Sequence, residues 1–231
     1  MSQSKIVVAL DYPTTQQAIQ LVERLDPEHC RLKVGKELFT RGGPELIDSI
    51  HKQGFDIFLD LKFHDIPNTV AAACRAAADL GIWMVNVHAL GGRRMLEAAR
   101  ESLENSNHVP KLIAVTILTS HTDEDLLEIG LSGSSEENVL RLARLAHESG
   151  LDGVVCSAKE SRLLKKEIAS DFVLVTPGIR PLWAVKGDQS RIMTPKDAIT
   201  SGSDYLVIGR PITASEDPLA ALLKVREELA D

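Results

Sequence analysis

Apolar residues in this chain gather into short continuous runs separated by longer stretches in which they recur every three or four positions. Eight runs rich in Val, Ile and Leu stand out: 6–10, 31–34, 56–61, 83–88, 112–118, 153–156, 172–175 and 205–208. They are mainly apolar rather than alternating, as expected for parallel strands covered on both faces. Their starts lie about 28 residues apart on average, which leaves room for one crossover helix each time. Val139, Leu142, Ala143 and Ala146 show the i, i+3, i+4, i+7 spacing of an amphipathic helix, which should end near Gly150. Eight such repeats predict an α/β fold of (β/α)8 barrel type, one closed parallel sheet of eight strands, in a single domain over residues 1–231. The alternative is an open doubly wound sheet, which would want a glycine-rich turn after the first strand. The chain has Asp11-Tyr12-Pro13-Thr14-Thr15 there, without glycine. The longest gap, 121–135, is read as an extra loop with a short helix.

Composition narrows the partners. The chain has 231 residues, 44% hydrophobic, with 33 acidic against 26 basic residues and a formal charge of -7. A basic footprint for nucleic acid is disfavoured, and aromatics at 4% offer few stacking platforms for single strands. Three scattered cysteines, Cys30, Cys74 and Cys156, suggest neither a disulfide framework nor a zinc ribbon and fit a reducing cytoplasm. The first apolar run is far too short for a membrane span or a signal-peptide core.

In barrels of this type, function belongs to polar residues at the C-terminal strand ends. The third run ends Asp60-Leu61-Lys62-Phe63-His64-Asp65. On an extended strand Asp60 and Lys62 share a face toward the barrel mouth, and Leu61 and Phe63 face the helices. Asp65 should add a second carboxylate near the same ammonium. Flanking anions favour the charged form of a lysine, which suits proton donation. As a mere ion pair filling a barrel layer, the array would be an expensive use of a core position. The seventh and eighth runs lead into Gly178-Ile179-Arg180 and Gly209-Arg210-Pro211, where barrels commonly bind phosphate. Gly209 permits close approach, while Arg210 and Arg180 offer guanidinium groups. The stretch 181–194 is long enough for a lid, from which Gln189 could reach a phosphate. Asn86 and His88 share a face at the end of the fourth run. With no second histidine or acid at ligand spacing beside them, a core or supporting role is preferred to a metal site. His64 is given no role.

The pieces Ala9-Leu10-Asp11, Leu32-Lys33-Val34-Gly35, Asp60 through Thr69, Val85-Asn86-Val87-His88-Ala89, Leu118-Thr119-Ser120, Thr176 through Arg180, Gly187-Asp188-Gln189 and Ile208-Gly209-Arg210-Pro211 occur in an order that resembles the bacterial type of orotidine 5′-monophosphate decarboxylase almost end to end. The resemblance implies loss of carbon dioxide from orotidine 5′-monophosphate to give uridine 5′-monophosphate, the last step of pyrimidine nucleotide synthesis, with no metal and no organic cofactor. It makes Lys62 the proton donor, sets Asp60 beside the leaving carboxylate, and joins Lys33 to the charged array and the ribose. Asp11 and Thr69 become substrate-positioning groups, and Thr119 lies near the pyrimidine. Arg180, Gln189, Gly209 and Arg210 become the phosphate grip. It also implies a homodimer in which Asp65 and Thr69 complete the partner's site. The start of the lid, Pro181-Leu182-Trp183-Ala184-Val185-Lys186-Gly187, is more apolar than in many relatives.

Three rival readings remain at this level. A metal-dependent sugar-phosphate decarboxylase or synthase would resemble its relatives in carrying an acid on strand two, where this chain has Lys33. A Schiff-base aldolase would use Lys62 as nucleophile, against the effect of its flanking aspartates. A non-catalytic barrel that binds phosphorylated ligands would not need the array on strand three.

Overall fold

The computed structural model describes residues 4–184 and 193–230. Eight strands form one closed parallel barrel in chain order: β1 (Ile6–Ala9), β2 (Arg31–Gly35), β3 (Ile57–Phe63), β4 (Met84–His88), β5 (Lys111–Val115), β6 (Gly153–Val155), β7 (Val173–Thr176) and β8 (Tyr205–Ile208). β1 pairs with β8 through Val7 opposite Val207, so the open-sheet alternative is excluded. The helices are α1 (Thr15–Val22), α2 (Lys36–His51), α3 (Pro67–Asp79), α4 (Arg93–Glu101), α5 (Asp123–Glu128), α6 (Ser135–Glu148), α7 (Ser161–Glu167), α8 (Pro195–Thr200), α9 (Arg210–Thr213) and α10 (Pro218–Ala230). The short helix expected in the longest gap is α5. Thr122 caps it by accepting from the Asp125 amide, and the Asp125 carboxylate accepts from the Thr122 amide in return. Strand β5 stops at Val115 rather than Leu118, so Thr119 sits on the loop above the barrel.

Alternate residues of each strand go to two separate cores. Val8, Leu32, Leu59, Val85, Ala114, Leu174 and Ile208 pack outward against the helices. Val7, Ala9, Phe58, Met84, Ile113, Val175 and Val207 fill the barrel interior. The bottom of the barrel is plugged by Arg31, whose guanidinium lies 4.3 Å from the Trp83 ring centre and pairs with Asp56 at 3.3 Å. Filled from below, the barrel presents its cavities, among the described residues, at the C-terminal strand ends.

Candidate active site

The parity read for β3 holds. Leu61 and Phe63 pack with the outer core, and Asp60 and Lys62 face the mouth, where Lys62 Nζ donates to Asp60 Oδ1 at 2.6 Å. The backbone that achieves this is not a regular strand. Leu59 pairs with Val85 and Phe63 with Val87, so four steps along β3 match two along β4. Inside this bulge Lys62 adopts φ 51°, a left-handed conformation costly for a residue with a Cβ.

Lys33, from β2, adds a second ammonium. Its Nζ lies 3.1 Å from Asp11 Oδ1 and 3.5 Å from Asp60 Oδ2. The result is a row of alternating charge, Asp11, Lys33, Asp60 and Lys62, contributed by the ends of three neighbouring strands. Burial pushes the Asp60 carboxyl up, but Lys33, Lys62 and the hydrogen bonds from Lys62 and Asn86 outweigh it and hold the group below its ordinary value. The carboxylate is therefore ionised at neutral pH.

Asp65 departs from the expectation that it would flank Lys62 in the same chain. It is exposed, and its Oδ1 accepts from the Ile66 amide at 2.6 Å. Among the described residues no ion pair joins it to Lys62. The cause is local: Pro67 starts α3 immediately, and the turn before it carries Asp65 outward. Thr69, in the first turn of α3, is also exposed.

Two connected cavities share Lys33, Asp60, Pro177 and Val207. One of about 190 Å³ is walled by Phe58, Val115, Ile117, Val155 and Thr119 and reaches Lys62. The other, about 460 Å³, runs from Asp11 and Lys33 past Gly178 to Arg180, Gly209 and Arg210. A charged row thus stands between an apolar slot and a basic end. Arg180 is buried, Arg210 is exposed and opens α9, and Tyr12 Oη donates to the Thr213 carbonyl at 2.9 Å, tying the loop after β1 to α9. Gln189 and most of the expected lid lie outside the described residues. The ends of that stretch are joined, because the Arg180 amide donates to the Met193 carbonyl at 2.9 Å. A larger groove of about 600 Å³ lies between α1 and α2, on the outside of the barrel and away from this chemistry.

Two features were only dimly visible in the sequence. Asn86, given a core or supporting role, is fully buried and touches the row directly: its Nδ2 donates to Asp60 Oδ1 at 2.7 Å, and its Oδ1 accepts from the Lys62 amide at 2.7 Å. The signal was a polar side chain facing inward on an apolar strand. His64, given no role, stacks on His88 with ring centres 5.4 Å apart. Burial first, then the nearby His64, Lys36, Lys62 and His121, lower the His88 pKa to about 4, so its imidazole is neutral at pH 7.

Comparison with known proteins identifies the family and the fold. The family description Orotidine 5′-phosphate decarboxylase / HUMPS family matches residues 4–225. An orotidine 5′-phosphate decarboxylase of Hydrogenovibrio crunogenus is 63% identical over 97% of this chain and 95% of its own. One of Nitrosococcus oceani is 57% identical over the whole of both chains. The crystal structure of orotidine 5′-phosphate decarboxylase from Lactobacillus acidophilus superposes with a TM-score of 0.87 at 44% identity, covering 98% of this chain and 99% of that one. With a match running from the first strand into the last helix, the chain belongs to the orotidine 5′-phosphate decarboxylase / HUMPS family.

Proposed function

We propose that this protein removes carbon dioxide from orotidine 5′-monophosphate to give uridine 5′-monophosphate, with Lys62 as the proton donor. The observation that carries this reading is the row Asp11, Lys33, Asp60 and Lys62 set between an apolar slot and the two arginines. The phosphate sits on Arg180, Gly209 and Arg210, joined by Gln189. The ribose lies along Asp11 and Lys33, and the pyrimidine enters the slot beside Thr119. The substrate carboxylate then meets Asp60 and Lys62. As its bond to the ring breaks, the electron pair stays on the ring carbon, carbon dioxide leaves, and Lys62 delivers a proton to that carbon. Solvent returns a proton to the amine.

The energetics call for more than one group. A charge 4 Å from an ammonium gains about 4 kcal/mol at an effective dielectric near 20, whereas enzymatic accelerations correspond to about 8–23 kcal/mol. The remainder comes from phosphate binding, which holds the leaving carboxylate against Asp60, a contact relieved as carbon dioxide departs, and from exclusion of water. Asp60 also orients Lys62 through the 2.6 Å bond.

We further propose a homodimer in which Asp65 and Thr69 reach the partner's site. Both are exposed at the rim, next to Ile66, which is 67% exposed, and the Asp65 carboxylate does not pair with its own Lys62. The whole chain acts as one catalytic domain, and its three free, buried thiols suit a cytoplasmic enzyme. Among the described residues no helix is long and apolar enough to cross a membrane.

The metal-dependent reading is less well supported, because Lys33 Nζ occupies the space between the Asp11 and Asp60 carboxylates that a divalent ion would need. The test is the loss of orotate absorbance when purified protein is added to orotidine 5′-monophosphate, with and without EDTA. Equal rates support the proposal. Loss of activity with chelator supports the metal-dependent alternative, and binding of uridine 5′-monophosphate without turnover supports a ligand-binding barrel.

A further inference from the structure

We infer that Asn86 is a positioning residue for the reaction: its side-chain amide holds Lys62 in the left-handed backbone conformation that keeps the ammonium on Asp60. The inference rests on the proposed role of Lys62 and adds a residue that does not itself meet the substrate.

Among the described residues Lys62 is the only non-glycine residue with positive φ, at 51°. Such a conformation persists only where its surroundings impose it. In a regular parallel pair the Lys62 amide would donate to the β4 backbone. Here the register slips around it, and the amide donates instead to the Asn86 side chain, which lies on β4 opposite the bulge. The other end of that amide donates to Asp60 Oδ1, the same oxygen that accepts from Lys62 Nζ. One planar group therefore joins the main chain of the lysine to the carboxylate that receives its side chain. Its orientation is forced, since the carboxylate requires the NH2 end and the backbone N–H requires the oxygen. Completely buried, Asn86 has no solvent to replace either bond. Loss of this side chain would strand the Lys62 amide without an acceptor and take one of the donors from Asp60, which would keep the two lysines.

Two substitutions separate positioning from simple support. Asn86→Leu removes both bonds at similar volume. Asn86→Asp keeps an acceptor for the Lys62 amide but turns an oxygen toward Asp60, where two carboxylates repel. Protonation of the introduced carboxyl restores a donor, so this variant should recover as pH falls.

Both variants of the full chain are to be assayed for kcat and KM on orotidine 5′-monophosphate from pH 5.5 to 8, for inhibition by uridine 5′-monophosphate, and for thermal melting. For Asn86→Leu, kcat should fall about a hundredfold, with KM and nucleotide inhibition within about threefold of the parent. For Asn86→Asp the deficit relative to the parent at the same pH should shrink at least tenfold between pH 8 and 5.5. A deficit that is constant with pH, or that is matched by equal loss of nucleotide affinity, would overturn the inference, as would parental kcat in both variants. If Asn86→Leu does not fold, the pH profile of Asn86→Asp decides alone. Lys62→Ala is measured alongside. If it turns over like the parent, the donor assignment fails; if it is inactive while both Asn86 variants match the parent, only the inference about Asn86 fails.

Discussion

Replacing Asp60 by asparagine keeps the shape of the side chain and removes its charge, so it isolates what the carboxylate contributes. In the native protein Asp60 lies 2.6 Å from Lys62 Nζ and 3.5 Å from Lys33 Nζ. At an effective dielectric near 20 these distances correspond to gross attractions of about 6 and about 5 kcal/mol. Burial works against both and is the largest single influence on the carboxyl, yet the lysines and hydrogen bonds prevail and its pKa is lowered. Removing one partner of a buried pair costs about 3–5 kcal/mol. Lys62 is 26% exposed and Lys33 keeps its bond to Asp11, which reduces the expected loss for Asp60→Asn to about 2–3 kcal/mol at pH 7. The sign with pH follows from the lowered pKa. The unfolded carboxyl binds its proton near 3.8 and the folded one only below that, so the contribution is complete above about pH 5 and disappears as pH falls through the folded value. Urea unfolding of parent and Asp60→Asn should therefore show a gap of about 2–3 kcal/mol at pH 7 that narrows below pH 4. Turnover should drop about 10²–10³-fold, as when a preorganised electrostatic group is removed. A gap that persists unchanged into acid, or turnover within a few-fold of the parent, would refute the reasoning.

Arg210→Ala should lower kcat/KM about 10–100-fold through loss of charge-assisted bonds to the phosphate, with part of the activity restored by added guanidinium; unchanged turnover on the full nucleotide would remove Arg210 from the phosphate site. If the proposed homodimer shares its sites, Lys62→Ala and Asp65→Ala, each inactive alone, should regain about a quarter of parental activity when denatured together and refolded, because half the dimers would be mixed with one of their two sites intact; no regain would place Asp65 in its own subunit's site. Neutral His88, with a pKa of about 4 against 6.5 when unfolded, contributes stability that is complete above pH 6.5 and lost as pH falls toward 4. His88→Gln should flatten the fall in urea stability between pH 7.5 and 5, and an identical fall in the variant would contradict the assignment.

The barrel was legible in the sequence because the strand runs are mainly apolar, with few polar positions, and each gap is long enough for one helix. The charged row was legible because parity alone puts Asp60 and Lys62 on one face. What the pattern could not supply was backbone departure from regularity. The bulge at Lys62 has no local signature in Asp60-Leu61-Lys62-Phe63; it depends on Asn86, distant in the chain, offering its side chain where a ladder bond is missing. The same limit applied at Asp65, where spacing suggested proximity to Lys62 but the turn into Pro67 sends the carboxylate outward. Strand β5 was read too long because Ile117 and Leu118 are apolar for another reason: both line the slot beside Thr119.

Lys62→Met most directly tests the proton donor, since it keeps an unbranched chain and removes the ammonium. Formation of uridine 5′-monophosphate from the orotidine nucleotide, followed by chromatography, should fall by at least the 10²–10⁴-fold typical of losing a proton-transfer group, while the product nucleotide still binds at the arginine end. Uridine 5′-monophosphate produced at the parental rate by this variant would contradict the account.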